Sequence, residues 1–478
     1  MLLIVVGRLL QFLIMFVSVK LMTTLLPPQQ AGVAALVTTT TSFFALFLVN
    51  PVGMFINRRL HAWVEAGVMR RRFHLYCLYL AGVALCSGLF VWGMAEVGWF
   101  DTGLGGWTMA LLVSTSLLFN TINQTLIPSL NMIGRVRGFM ALTLLTLFGG
   151  LLASWSLGHF SGLHSALSWL AGAIMAQAVF GLVAYRIFFK RPESAVPDMP
   201  RAVQLSSLFD FCWPVALAVA FNWVHMQGYR FLLAEEGGLA ELGLFAAGYG
   251  IAAAVLAAVE MILGTRLQPL FYRRANSADV AERGQAWAAY ARALVPAATL
   301  AAAAVMAAAP DLTPVMLGPE YVGASRYVAL GACAEWARMM IGIFSLNSHL
   351  HMNTRRLILP NLGGAVVSTL LIVCLLPAQG LMVAPLAVMA GGLLIIVALY
   401  CFARAGADRM RLDVAGLVSG LVLSVLLVAG MSVLRSTLAA AGSQLPHLLG
   451  LLCVAVVWSA VCALLFRDRI VRPLLREA

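Results

Sequence analysis

Six basic side chains lie within or at the edge of strongly apolar stretches that are long enough to span a membrane. They are Arg8, Lys20, Arg230, Arg292, Arg326 and Arg338. A charge at the centre of a bilayer costs on the order of 3 kcal/mol, so such side chains usually face a watery cavity or a partner. The guanidinium group of one arginine can bind two phosphate oxygens at once. The set predicts a pathway for an anionic group; for Lys20, Arg230 and Arg326 the alternative is extension to the membrane interface.

Uncharged polar side chains form a second set. In the seventh predicted span, Asn222, His225 and Tyr229 are spaced i, i+3 and i+7 on one helix face, with Gln227 and Arg230 close by. Amide, imidazole and phenol groups suit sugar hydroxyls, whereas interhelical hydrogen bonding is the alternative role. A similar group in the fourth predicted span consists of Asn120, Asn123 and Gln124, which we expect to share one face.

Two carboxylates lie well inside predicted spans, Glu260 and Glu335. Either could bind a coupling proton or sodium ion. Glu335 and Arg338 are three residues apart on the same helix, a spacing that favours an internal neutralising pair over ion coupling.

The composition identifies an integral membrane protein. Hydrophobic residues make up 62% of the 478 residues and charged residues 10%, with a mean hydropathy of +0.93, whereas soluble domains carry about 25% charged residues. The net charge of +12 fits basic cytoplasmic loops better than nucleic-acid binding. The eight cysteines lie in apolar runs without CxxC spacing, and no phosphate-binding loop is present. We therefore expect no cofactor, no metal site and no catalytic residues.

Apolar stretches of about 20 residues predict fourteen membrane-spanning helices. They cover 2–22, 31–55, 73–97, 107–132, 139–157, 163–188, 208–233, 242–267, 286–309, 322–346, 357–376, 381–402, 414–434 and 448–466. Of the 31 basic residues, 24 fall in alternate connections. This alternation places both termini and every basic loop in the cytoplasm. Asn50, Pro51 and Gly53 predict a break or kink near the end of the second span.

The chain also contains a weak internal sequence repeat. The segment from Lys20 to Gly32 and the segment from Arg230 to Gly243 each place a cation, a Leu-Leu pair, a turn without Lys or Arg and a glycine in that order. The similarity of these two segments predicts that the chain consists of two six-helix lobes related as a parallel repeat. We expect lobes at 1–190 and 208–403, a cytoplasmic linker at 191–207, and two further helices with a basic tail at 404–478.

Several short motifs resemble the polysaccharide transporter family, the Wzx-type oligosaccharide flippases of the multidrug/oligosaccharidyl-lipid/polysaccharide exporter superfamily. They are Gly7-Arg8, the turn from Leu25 to Gly32, and Gly53 followed by Arg58-Arg59. The resemblance implies a V-shaped, alternating-access transporter in the bacterial inner membrane. Its substrate would be an undecaprenyl-pyrophosphate-linked oligosaccharide for O-antigen, capsule or exopolysaccharide. A polysaccharide polymerase and chain-length proteins are candidate partners, beside membrane lipid.

Applied to this chain, the resemblance assigns two kinds of substrate contact. The cations that would pair with pyrophosphate are Arg8, Lys20, Arg230, Arg292 and Arg338. The candidate sugar contacts are Asn120, Asn123, Asn222, His225 and Gln227. Three alternatives remain: a multidrug antiporter, which would need more cavity carboxylates; a lipid II flippase; and a membrane polymerase or ligase, which would need a large outer loop.

Overall fold

The structure is a computed structural model of the full chain. It describes residues 2–65, 68–99, 102–162, 164–189, 201–277, 280–350, 354–405, 413–438 and 450–452, with single positions at 454, 456 and 458. Most of the predicted linker at 191–207, most of the last predicted span and the basic tail lie outside these residues. The side chains of Arg58 and Arg59 are outside them as well.

Helices account for nearly all of the described residues, which contain no strand. This follows from the apolar composition, because backbone polar groups in lipid must be satisfied within the same segment. The α-helices are α1 Leu2–Leu25, α2 Pro28–Phe44, α3 Asn50–Glu65, α4 Met69–Glu96, α5 Gly106–Met132, α6 Val136–Ser161, α7 Ala166–Phe188, α8 Arg201–Trp223, α9 Tyr229–Ser277, α10 Val280–Met316, α11 Ser325–Leu350, α12 Ile358–Gln379, α13 Val383–Ala405 and α14 Val414–Leu438.

Within the described residues, twelve helical stretches are long and apolar enough to cross a membrane. One of them, Ser207–Gly264, is 58 residues long, which is enough for two spans. It contains Gly238, whose φ of 76° interrupts the helix within α9. This stretch therefore accommodates both the seventh and the eighth predicted spans. The prediction of an all-α, multi-pass membrane protein is confirmed.

The chain divides into two compact units. Unit 1 comprises Met1–Trp223 and Gly238–Gly243, and unit 2 comprises Val224–Gly237 and Leu244–Ala478. The division therefore falls inside the helical run that begins with α8. The lobe boundaries expected from the sequence, at residues 190 and 208, stay a prediction.

Unit 1 is built around packed pairs of long helices, with α4 against α5, α6 against α7, and α5 against α7. Its core contains Phe73, Val113, Leu117 and Leu126, each at most 2% exposed. Because α5 lies in the middle of these contacts, it can present different residues to the core and to a cavity at once.

The second predicted span runs through α2 and α3 as one helix with a single π-helical turn, Ala45–Val49. Pro51 is the second residue of α3. Proline has no N–H and its ring crowds the preceding turn, and a wider π turn just before it relieves that crowding. The expected kink thus takes the form of a π turn.

The two equivalent glycines of the internal repeat, Gly32 and Gly243, lie close together within unit 1. A Cβ atom added to Gly32 would lie 1.9 Å from the carbonyl oxygen of Leu239, and one added to Gly243 would lie 1.8 Å from the carbonyl oxygen of Pro28. The contact is reciprocal, because the same shift of 211 residues relates 28 to 239 and 32 to 243. Only glycine permits so close an approach of two backbones.

Unit 2 packs α10 against α11 and α14, α12 against α13, and α11 against α13. The alanine-rich α10 is the central helix of unit 2, since 83% of an apolar 18-residue stretch within it is buried. Trp287 in α10 is fully buried, and its indole Nε1 donates to the Ile343 carbonyl in α11 at 3.2 Å. This packing fixes α11, the helix that carries Glu335 and Arg338.

Candidate functional site

A cavity of about 430 Å³ lies within unit 1, and uncharged side chains, both polar and apolar, line it. This volume is in the usual range for small-molecule sites. Its walls come from α2, the π turn, α3, α4 and α5. The lining residues are Thr38, Thr41, Ser42, Ala45, Leu46, Val49, Asn50, Gly53, Met54, Tyr76, Ser116, Asn120, Thr121, Gln124 and Thr125.

The α2 wall consists of hydroxyl groups whose protons are already used. Thr41 Oγ1 donates to the Val37 carbonyl at 2.8 Å, Ser42 Oγ donates to the Thr39 carbonyl at 2.7 Å, and Thr38 likewise bonds back to Ala34. A hydroxyl that donates once keeps acceptor capacity. Ser42 Oγ already accepts from Trp223 Nε1 at 2.9 Å, so this wall offers Thr38 and Thr41 as acceptors for hydroxyl or amide donors.

The α5 wall offers a pair of amides one helical turn apart. Gln124 Nε2 donates to Asn120 Oδ1 at 3.2 Å. The contact leaves the Asn120 amide nitrogen as a donor and the Gln124 amide oxygen as an acceptor. Asn123 does not join them: it is 9% exposed, and its Nδ2 donates to Thr146 in α6 and to the Gln177 carbonyl in α7, each at 3.4 Å. The predicted face is thus split, with Asn123 holding helices together.

The cavity extends from an accessible rim into the packed interior. Thr38 and Gln124 are exposed, whereas Thr41 is 5% exposed. None of the described lining residues carries a charge. The site can therefore bind an uncharged, hydrogen-bonding group, but its walls supply neither a cation for phosphate nor a carboxylate for a cationic ligand.

Unit 2 contains a charged cluster centred on Arg338. Its Nε donates to Glu335 Oε2 at 2.6 Å, and its Nη2 donates to Glu260 Oε2 at 2.7 Å. The neutralising pair predicted from the i, i+3 spacing is present, and Glu260 in α9 completes a bridge with two carboxylates. Such a bridge can exist in an apolar protein because each charge has a bonded partner of opposite sign.

An aromatic ring connects this cluster with Arg230. The hydroxyl of Tyr249 donates to Glu335 Oε1 at 2.8 Å. The guanidinium carbon of Arg230 lies 5.9 Å from the centroid of the same ring, within the range of a cation–π contact. Tyr249 thus connects Arg230 with the Arg338 cluster through Glu335.

His225 lies in the π-helical turn Val224–Gly228 and is fully buried. Its Nδ1 is 3.1 Å from Ser368 Oγ in α12. A Cβ atom on Gly391 in α13 would lie 2.9 Å from His225 Cε1. These contacts make His225 an interhelical hydrogen-bonding residue of unit 2. Gln227 in the same turn is half-buried, as is Asn222, the penultimate residue of α8 in unit 1.

The remaining predicted cations differ in their surroundings. Arg8 is half-buried, donates to Gln11 Oε1 at 2.8 Å and lies 5.6 Å from the Phe139 ring centroid in α6. Lys20 is half-buried in α1. Arg292 is exposed, and its Nε is 3.5 Å from Asp413 Oδ2 at the start of α14. Thus Arg8 contacts a neutral amide, whereas Arg292 and Arg338 contact carboxylates.

Sequence reasoning missed most of the cavity wall, namely Thr38, Thr41, Ser42, Asn50, Thr121 and Thr125. A signal was available, because residues 38–42 read Thr-Thr-Thr-Thr-Ser inside an apolar span. Tyr249 was missed too, and no local pattern distinguishes it from a packing aromatic.

Residues 21–326 match the sequence profile of a family described as polysaccharide biosynthesis protein. The match spans well over half of the chain. The chain belongs to this family. In this polysaccharide biosynthesis protein the match includes the whole cavity wall of unit 1, together with Arg230, Tyr249 and Glu260. Arg8, Lys20, Glu335 and Arg338 lie outside the matched residues.

Solved structures share the fold of this family member at low sequence identity. The lipid II flippase MurJ in an inward closed conformation aligns with a TM-score of 0.69 and 10% identity, covering 98% of this chain and 99% of that one. An inward-facing MATE multidrug resistance transporter of the MOP superfamily gives 0.61 and 15%, covering 88% and 95%. The eukaryotic MATE transporter AtDTX14 gives 0.52 and 14%, covering 88% and 93%. No curated protein sequence matches significantly.

Proposed function

We propose that this protein is a flippase that moves undecaprenyl-pyrophosphate-linked oligosaccharide across the bacterial inner membrane by alternating access. The observation that carries the proposal is the family membership of a chain whose fold is shared, over almost its full length, with a lipid II flippase. Lipid II is itself a lipid-linked sugar, so a polysaccharide biosynthesis protein with that fold suits a substrate of the same chemical class.

The charge distribution supports an orientation for this transport. Basic residues concentrate in alternate connections, which by the positive-inside rule face the cytoplasm. Both termini would then be cytoplasmic, and the substrate would enter from the side where lipid-linked sugars are assembled. The lobes at 1–190 and 208–403 would provide the two halves of the transporter.

Among the proposed pyrophosphate contacts, Arg8 and Arg230 are the strongest. Arg8 has a neutral hydrogen-bonding partner, and Arg230 lies over an aromatic ring. Arg338 already bonds two carboxylates, so phosphate would have to displace one of them. Arg292 is exposed beside Asp413, and Lys20 contributes a single point charge rather than a paired contact.

Glu260 is the better of the two carboxylates for ion coupling. Its side chain is 38% exposed, against 6% for Glu335, so an ion can reach it. If phosphate displaced Glu260 from Arg338, the released carboxylate would take up a proton or a cation. Glu335, which is bonded to both Arg338 and Tyr249, would hold the cluster in place.

Deleting the gene in its own host tests the proposed function. We expect short undecaprenyl-linked repeat units to accumulate on the cytoplasmic leaflet while surface polysaccharide is lost. Mass spectrometry of the trapped lipid would identify the oligosaccharide, and lipid II among the trapped species would indicate peptidoglycan precursor export instead. Accumulation should disappear when the wild-type gene is restored.

A multidrug antiporter is the second candidate, because the MATE transporters share the fold and unit 2 contains two carboxylates that could bind a cation. Its expected outcome differs from that of the flippase. Normal surface polysaccharide together with increased sensitivity to cationic drugs after deletion would favour the antiporter and reject the flippase.

A further inference from the structure

We propose that the uncharged cavity of unit 1 is a binding site for an uncharged sugar ring, and that it selects neutral sugars over acidic ones. The inference rests on the proposed function, because it places one part of the transported lipid-linked oligosaccharide. Such a molecule has three chemically different parts: an apolar tail, an anionic pyrophosphate and a hydroxyl-rich sugar. Each part requires a different lining.

Charge excludes the pyrophosphate, and also a cationic drug, from the cavity. The described lining has neither Arg nor Lys to compensate a pyrophosphate, and neither Asp nor Glu to compensate a cation. An unpaired charge is costly in a site that reaches into an apolar core. An apolar tail could not bond the remaining acceptor and donor groups of the walls, which is also unfavourable.

The remaining part, a neutral sugar, matches the hydrogen-bonding capacity of the walls. Thr38 and Thr41 on α2 are acceptors because their protons bond to their own helix. The Asn120 and Gln124 pair adds one donor and one acceptor on the opposite side. Sugar hydroxyls both donate and accept, so they can satisfy both walls. Tyr76 and Met54 supply less polar surface for the ring face.

Access also fits a ring that enters as part of a larger molecule. Thr38 and Gln124 at the rim are exposed, and Thr41 marks the buried end. A sugar could therefore enter while the rest of the chain stays outside. The volume of about 430 Å³ lies toward the lower end of the range of about 300 to 1,000 Å³ for ligand pockets, so the site suits a short sugar rather than a whole oligosaccharide.

Binding of two matched probes tests this inference. The full-length protein in lipid nanodiscs would be titrated with N-acetylglucosamine and with glucuronate, and saturation-transfer NMR would follow each sugar. We expect transfer to the neutral sugar and little to the acidic one. Removing two wall groups by Thr121→Val and Gln124→Met, which keep the shape, should weaken neutral-sugar binding about tenfold, because each lost hydrogen bond contributes modestly.

Thr115→Val is the matched control. Thr115 lies on the same helix, does not line the cavity, and its hydroxyl bonds back to Leu111, so its loss should leave sugar binding unchanged. A second variant, Gln124→Lys, adds a cation at an exposed rim position and should shift the preference toward glucuronate. Equal binding of both probes, or unchanged binding in the double and lysine variants, would overturn the proposed site.

The outcomes separate this inference from the proposed function. Lipid-linked repeat units that accumulate in the deletion strain, combined with full complementation and unaltered binding by the cavity variants, would keep the flippase and reject the sugar site. Selective binding of the neutral sugar without accumulation in the deletion strain would support the site and reject the flippase. Displacement of the sugar by tetraphenylphosphonium would reject the site in favour of a cation pocket.

Discussion

Arg338 shows how a charge can be kept inside an apolar helix pair. It bonds Glu335 on its own helix and Glu260 on α9. Glu335 is 6% exposed and also accepts from Tyr249, so it depends on these partners for compensation. Removing one partner of such a pair leaves an uncompensated buried charge, which costs more than the pair contributes.

We therefore expect Arg338→Leu to destabilise the protein by roughly 3 kcal/mol, measured by denaturant unfolding of the purified protein in detergent. Arg292→Leu is the matched control. The Arg292 side chain is 53% exposed and lies 3.5 Å from Asp413, and exposed pairs contribute about 1 kcal/mol or less. Equal losses of stability in the two variants would contradict the argument from burial.

Arg8 and Arg230 test the proposed contact with pyrophosphate. Replacing either with alanine should abolish complementation of surface polysaccharide in a deletion strain while membrane insertion stays intact. Arg8→Lys should restore only part of the activity, because lysine cannot bind phosphate oxygens through a planar pair of donors. Quantitative staining of surface polysaccharide and immunoblots of membranes measure the two properties. Full activity of both alanine variants would refute the cation proposal.

Glu260→Gln tests ion coupling at the same scale. The substitution keeps a hydrogen-bonding group beside Arg338 but removes the charge that a proton or sodium ion would neutralise. Transport of lipid-linked sugar in vesicles should then lose its dependence on an imposed proton or sodium gradient. If the variant responded to both gradients as the wild type does, Glu260 would have only a structural role.

At the scale of helices, the crossing of Gly32 and Gly243 is a close backbone contact of unit 1 that leaves no room for a side chain. Each glycine lies against a carbonyl oxygen of the opposite segment, closer than any Cβ atom tolerates. Overpacking a close contact usually costs about 1 to 3 kcal/mol. We expect Gly32→Ala and Gly243→Ala each to lower stability by that amount.

Gly82→Ala provides the matched control for the crossing. Gly82 is on α4, and an added Cβ atom would meet no other atom within 4 Å. Alanine favours a helix over glycine by about 1 kcal/mol, so this variant should be as stable as the wild type or more so. Unfolding in detergent measures all three variants. A stable Gly32→Ala protein would show that the two segments can separate without loss.

For the whole molecule, the distribution of basic residues among the loops predicts the orientation in the membrane. The turn between α4 and α5 contains no basic residue, whereas Arg135 lies in the turn between α5 and α6 and Arg137 lies in the first turn of α6. Positive residues favour the cytoplasmic side. The first turn should therefore face the cell exterior and the second the cytoplasm.

Single cysteines in a cysteine-free background test this orientation. Trp99 is 74% exposed and Arg137 is also exposed. Trp99→Cys should react with a membrane-impermeant maleimide in intact spheroplasts, whereas Arg137→Cys should react only after permeabilisation. The opposite labelling pattern would invert the proposed topology and the direction of transport.

Hydropathy and local spacing determined a large part of this protein without tertiary information. Membrane spans follow from continuous apolar length, because a helix satisfies its own backbone wherever lipid surrounds it. The Glu335 and Arg338 pair followed from spacing on one helix, where neighbours three residues apart always meet. The repeat that contains Gly32 and Gly243 was also visible in the sequence, although the contact between its two copies was not.

Only the tertiary structure decided which helix faces meet. Nothing in the local sequence distinguishes the role of Asn120 from that of Asn123. Asn120 nevertheless lines a cavity, whereas Asn123 forms hydrogen bonds to α6 and α7. Glu260 reaches Arg338 across 78 residues, and Gly32 meets the segment of Gly243 across more than 200. Helix periodicity defines a face but not its neighbour, since the neighbour depends on how whole helices pack.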